Sequence, residues 1–229
     1  DPEQYEFNTL YVNDERATMA RTRNRDNNPY FPMAKGEYMR SVGGHNNDLN
    51  MLYKAGDIDE KAIAGMVHAQ ERGEEEIAQV FVWDGGDWDW FTNTIPIATI
   101  DTSKNEFKFP TPPEDYPEKY RTKYNIGSGA RYFLQGNLAF MDVEGEYHYN
   151  KTTGILYYYP KGEDGAIEDQ TVVVPTMQKA IYFKGAEKEN LADEPDPNQQ
   201  VHNITLDGLA VKDTEFADYF TYSWNFGDA

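Results

Sequence analysis

Cysteine is absent from the 229 residues, which excludes structural disulfides, thiolate zinc sites and cysteine nucleophiles. Histidine is scarce. The four are His45, His68, His148 and His202, and no two stand at a His-x-x-x-His spacing, so no metal centre is expected. Basic residues are outnumbered, 21 against 40 acidic ones, for a formal net charge of −19. That charge opposes binding to nucleic-acid phosphates or to anionic membranes, so neither is an expected partner. No apolar run approaches the ~20 residues of a membrane-spanning helix, and no signal-peptide pattern opens the sequence. The chain begins at Asp1 and not at methionine, which suggests a processed protein or a piece cut from a longer one.

Two glycine-containing loops, Gly43-Gly44-His45 and Gly127-Ser128-Gly129, lack the Lys-Ser/Thr and the strand–helix setting of a phosphate cradle. Ser128 also lacks the flanking pattern of a nucleophile elbow. No cofactor is therefore expected. What the chain has in quantity is aromatic residues, 17 Tyr, 12 Phe and 4 Trp, enough for a packed core or a ring-lined binding surface. The acidity reads most simply as a well-solvated surface. Adaptation to a saline setting, or carboxylates turned toward a neutral or cationic ligand, are the other readings.

Turn chemistry punctuates the chain into short strands. Thr9–Val12 and Arg16–Met19 flank Asn13-Asp14, a hairpin signal. Ile95–Ile100 and Asn105–Phe109 flank Asp101–Lys104, and Glu146–Tyr149 and Ile155–Tyr159 flank Asn150–Gly154. Ile77–Trp83 is a further strand, rich in β-formers. One helix is expected over about 57–72, capped by Asp57 or Asp59 and ended by Gly73, with Ile58, Ile63, Met66 and Val67 at helical spacing. Thr171–Val174 reads as a short buried strand ending at Pro175.

Near the C-terminus the pattern repeats. Ile181-Tyr182-Phe183-Lys184-Gly185 is echoed 23 residues later by Ile204-Thr205-Leu206-Asp207-Gly208. Both alternate apolar with polar residues before a glycine, as successive rungs of a parallel β-solenoid would. The expected fold is mainly β: an antiparallel β-barrel or sandwich module with one short helix over 1–168, then the first coils of a right-handed parallel β-helix over 169–229.

Four segments in this order carry a family resemblance. Leu10–Arg16 followed by Ala20-Arg21 resembles LYVNGxR…AR(Y/W)PN. Asn137–Asp142 with Gly145-Glu146-Tyr147 resembles EN…LDxPGEW, Lys151–Pro160 resembles xxTGxLYYxP, and His202–Leu209 resembles NIxxxGL. Together they are similar to right-handed parallel β-helix carbohydrate-active proteins in which a β-barrel or sandwich module is inserted after the first coils. The resemblance implies glycoside hydrolysis, or less often lyase or epimerase chemistry, on a polysaccharide or oligosaccharide. It implies that the catalytic carboxylates lie on later coils, beyond Ala229, and that the remainder of the same polypeptide is this segment's partner. A secreted, periplasmic or cell-surface bacterial setting goes with it.

The densest chemical signal is Trp83-Asp84-Gly85-Gly86-Asp87-Trp88-Asp89-Trp90, three tryptophans and three aspartates in eight residues. Indole faces stack on sugar rings and carboxylates accept from sugar hydroxyls, so Trp83, Asp84, Asp87, Trp88, Asp89 and Trp90 are candidate saccharide contacts. A tight turn whose tryptophans pack inward is the competing structural reading, and calcium ligation a third. Asp207, on the polar side of its rung, is a candidate groove carboxylate. Asp213, Glu215, Asp218 and Asp228 stand beyond it, against the plainer reading of surface solvation. The expected function is a portion of a polysaccharide-degrading β-helix glycoside hydrolase that shapes the substrate cleft. The alternatives are a non-catalytic carbohydrate-binding or adhesion module and a purely structural solenoid cap.

Overall fold

The fold is described from a computed structural model, which covers residues 7–24, 38–44, 49–83, 92–110, 126–162, 164–177, 180–185 and 200–215. Among the described residues it is mainly β, with several antiparallel sheets and one α-helix.

The first hairpin forms where the turn chemistry places it. β1 (Tyr11–Val12) pairs with β2 (Glu15–Arg16), and Asn13 and Asp14 between them adopt φ of 52° and 65°. Both values lie in the left-handed region that a two-residue hairpin turn demands and that Asn and Asp tolerate better than other side chains. β3 (Thr18–Met19) then runs parallel to β12 (Glu146–Asn150), which forms the expected hairpin with β13 (Ile155–Tyr158).

The largest sheet joins β4 (Arg21–Thr22), β11 (Arg131–Gln135), β7 (Ala78–Trp83) and β8 (Asn93–Ile97) in that order, with β5 (Met39–Arg40) also on β11. A smaller sheet joins β6 (Asn50–Leu52), β10 (Glu106–Lys108) and β9 (Thr99–Asp101). Period-two alternation decides which side of the large sheet is dry. Tyr132, Leu134, Val80, Val82, Ile97 and Met39 point to one face and are buried in the main core. Among the described residues no sheet closes into a barrel.

Helix α1 (Glu60–Glu71) caps the core. The Asp59 carboxylate accepts from the Lys61 N–H at 2.7 Å, satisfying one of the orphan donors at the helix start. Ala62, Met66 and Ala69 fall on one face and are buried. Against that helix rests a 3₁₀ turn, Leu138–Phe140, held by Asn137, which accepts from the Ala139 N–H and donates to the Ile77 carbonyl. Contact is so close that a Cβ on Gly65 would lie 2.2 Å from the Ala139 Cβ. Helix propensity alone favours alanine over glycine by about 1 kcal/mol. Overpacking reverses that sign, so Gly65→Ala is expected to cost about 2 kcal/mol in a urea melt, and a stabilised variant would refute the close approach.

The C-terminal portion returns to the N-terminal hairpin. β14 (Val172–Val173) pairs antiparallel with β1, and the Asn13 N–H donates to the Thr171 carbonyl at 2.9 Å. The strand expected at Thr171–Val174 is thus present, but Val172 is exposed and Val173 half-buried, because β14 lies at the edge of a three-stranded sheet. Further on, the Glu215 carboxylate accepts from the Asn8 N–H at 3.1 Å and from the Thr9 hydroxyl at 2.9 Å.

Neither echoed stretch, 181–185 or 204–208, has a strand partner among the described residues. Phe183 and Leu206, the inward positions of the expected rungs, are 50% and 55% exposed. The expected parallel β-helix coils are thus not seen among the described residues, since alternation without a partner strand leaves the apolar side chains at the surface.

Candidate functional site

On the side of the large sheet turned away from the core, the register brings together residues that lie far apart in sequence. Phe81 stands opposite Phe133, Trp83 opposite Arg131 and Gln79 opposite Gln135, while Arg21 on β4 stands opposite Gln135. The rings form a continuous set. Phe81 and Phe133 stack at 4.9 Å and 13°, Trp83 meets Phe81 edge-on at 4.9 Å, and Tyr38 meets Trp83 at 4.8 Å. The Arg131 guanidinium lies 4.9 Å from the Trp83 ring centre, and that of Arg21 lies 5.3 Å from the Phe133 ring, both within cation–π range.

The first hairpin and β3 border this face, and between them lies an open cavity of about 410 Å³. Its volume falls in the range of small-ligand sites. Phe81 and Phe133 line it, joined by Arg16, Arg21, Thr18 and Gln135. Its far wall includes Tyr147, whose hydroxyl donates to the Asn8 carbonyl at 2.8 Å and is fixed by it. Rings, cations and hydrogen-bonding side chains therefore converge on one concave surface.

Below that wall, β12 places two ionisable groups inside the protein. Glu146 is buried, and its carboxylate accepts from the N–H groups of Arg21, Asp142 and Val143 at 3.3, 2.9 and 3.2 Å. Burial raises its pKa, and the three N–H donors pull the other way. His148 is buried too, and burial pushes its pKa down to about 4, against the opposing pull of Glu74 and a hydrogen bond to the Gly136 backbone. Both carboxylates that are buried near the N-terminal hairpin, Glu146 and Glu215, are thus occupied by backbone and hydroxyl donors. That arrangement ties Glu146 to β4 and the turn before β12, and Glu215 to the chain before β1.

Of the candidate contacts read from sequence, Trp83 is brought to the ring set at the end of β7, half-buried beneath Arg131. Asp84, Asp87, Trp88, Asp89 and Trp90 lie outside the described residues. Asp207 is exposed and is not among the residues that line the cavity. Asp213, also named from sequence, lies 3.9 Å from the Lys212 ammonium, which in turn reaches Asp14 at 2.6 Å. Sequence reading missed Arg16, Arg21, Phe81, Phe133 and Gln135. The signal was present as two alternating triplets, Gln79-Phe81-Trp83 and Arg131-Phe133-Gln135, which mirror each other when paired antiparallel.

No group of three or more His, Asp or Glu side chains among the described residues is arranged to hold a metal ion. No described helix is long and apolar enough to cross a membrane. No protein-family model matches the sequence, and no curated protein matches it. A solved structure described as a glycoside hydrolase is similar in fold, with a TM-score of 0.51 at 18% sequence identity. The similarity covers 76% of this chain and 27% of that one, so this chain matches a minor part of that protein's length.

Proposed function

We propose that this chain is the saccharide-contacting portion of a larger polysaccharide-degrading glycoside hydrolase, and that the cavity over Phe81 and Phe133 is where it meets the glycan. The observation that carries this reading is the ring-lined cavity, edged with arginine and amide groups, on the outer face of the large sheet. Ring faces and edges supply dispersion contact to sugar C–H groups, and planar amide and guanidinium groups match vicinal hydroxyls. The fold likeness to a glycoside hydrolase supports the same reading from a second direction.

In this proposal the module wall stands beside a cleft whose catalytic carboxylates belong to other coils of a parallel β-helix. The exposed apolar residues of the echoed stretches, Ile181, Phe183, Ile204 and Leu206, would then be covered by neighbouring coils of the same polypeptide. An exported or cell-surface location belongs to the proposal, since polymeric substrates are met outside the cell. The aspartates and tryptophans from Asp84 to Trp90, which follow Trp83 in sequence, are proposed to extend the contact surface.

The test is a glycan array with the chain and with Phe81→Ala, Trp88→Ala and Trp90→Ala, paired with a reducing-end assay. Binding of at least one oligosaccharide family is expected, weakened about three- to tenfold by Phe81→Ala. Failure of the wild-type chain to retain any glycan would remove the saccharide reading. Release of reducing ends by the chain alone would show instead that hydrolysis resides within these residues.

A further inference from the structure

The composition of the cavity lining runs against the composition of the chain. Acidic residues outnumber basic ones by 40 to 21 overall, yet the described lining holds two arginines, Arg16 and Arg21, and no carboxylate. We infer that the cavity selects a saccharide bearing an anionic substituent, a uronic-acid carboxylate or a sulfate ester, and that Arg16 and Arg21 receive it. This inference rests on the saccharide reading above and narrows its substrate class.

The arrangement suits that task on three counts. Arg21 is buried and its guanidinium is stacked on the Phe133 ring, so it is held in one place before any ligand arrives. Arg16 is exposed at the end of the first hairpin, on a strand whose register with β1 is set by the Asn13-Asp14 turn. A planar guanidinium engages a carboxylate or sulfate through two parallel N–H donors, which a neutral hydroxyl cannot match in strength. Thr18 and Gln135 stand in the same lining and complement the hydroxyls of the same ring. The many surface carboxylates do not cancel this. At physiological ionic strength their fields decay over about 8 Å, whereas contact with the cavity arginines is direct.

The decisive experiment titrates the 229-residue chain calorimetrically, at physiological ionic strength, with three oligosaccharides of equal length. One carries uronic-acid carboxylates, one is its carboxyl-reduced neutral counterpart, and one carries sulfate esters. Arg16→Gln is titrated in parallel, because an exposed side chain can be changed without threatening the fold; circular dichroism confirms that it has not. An anionic ligand is expected to bind at least about tenfold more tightly than the neutral one, and Arg16→Gln to erase most of that margin. The stronger of the two anionic ligands tells carboxylate from sulfate recognition. Equal affinity for the reduced and unreduced ligands would overturn the inference while leaving the saccharide reading intact. Anionic preference that survives Arg16→Gln unchanged would place recognition elsewhere and overturn it as well. No binding of any of the three would remove the saccharide reading itself.

Discussion

Replacing Glu146 by alanine is expected to destabilise the protein by about 4 kcal/mol, the largest effect of any single substitution considered. The carboxylate is buried and serves three backbone donors, the N–H groups of Arg21, Asp142 and Val143. Each N–H deprived of its acceptor in a dry setting costs about 1–3 kcal/mol, and three that share one acceptor do not add fully. Glu146→Gln keeps one oxygen of the right geometry and should cost about half as much. Urea titration at neutral pH measures both. Near-wild-type stability in the alanine variant would mean that the three donors find other acceptors. Because Arg21 takes part, this carboxylate also ties the cavity floor to β12, so its loss should loosen ligand binding in parallel.

The second large effect is an acid transition located at His148. Its folded pKa is depressed to about 4, from an ordinary 6.5, chiefly by burial. A depressed group contributes stability that is complete above its unfolded pKa and is lost as pH falls toward its folded one. Between pH 6.5 and pH 4 the unfolded chain binds a proton there and the folded chain does not. The window spans about 2.5 units at 1.36 kcal/mol each, so about 3 kcal/mol disappears across it. Glu146 acts with the opposite sign. Its pKa is raised, so its contribution is full at low pH and declines as pH rises past the ordinary carboxylate value. The whole-protein curve therefore mixes the two, and the clean measurement is the difference between wild type and His148→Gln at pH 7 and pH 4. The variant should lose about 3 kcal/mol less over that range; parallel curves would show that the imidazole is not buried neutral.

Local chemistry made much of the fold legible. Asn13-Asp14, Asp101–Lys104 and Asn150–Gly154 each set a hairpin where a turn was read. Asp59 capped the helix as its type and position predict. Pairings across long separations were not legible, because nothing in residues 78–83 says that their neighbour begins at 131. The cavity depends on that pairing, on Arg16 arriving from the N-terminal hairpin and on Arg21 arriving from β4. A dense local motif, Trp83–Trp90, therefore drew the reading, while a dispersed one escaped it. The echoed stretches show the complementary limit. Alternation declares which side chains want burial, but burial needs a surface to lie against, and Phe183 and Leu206 lack one among the described residues.

One feature of the chain path bears on how such a protein accommodates change. Strands β1 and β14, far apart in sequence, are hydrogen-bonded neighbours, Tyr11 beside Val173 and Val12 beside Val172. The Glu215 carboxylate adds a second fastening to Asn8 and Thr9. The stretch between β1 and β14, residues 13–171, thus begins and ends at neighbouring strands. A body attached that way can grow, shrink or be exchanged without moving the framework on either side, since the span its ends must bridge is fixed by one inter-strand spacing. Change within that stretch is thereby uncoupled from the geometry of the two strands at its ends.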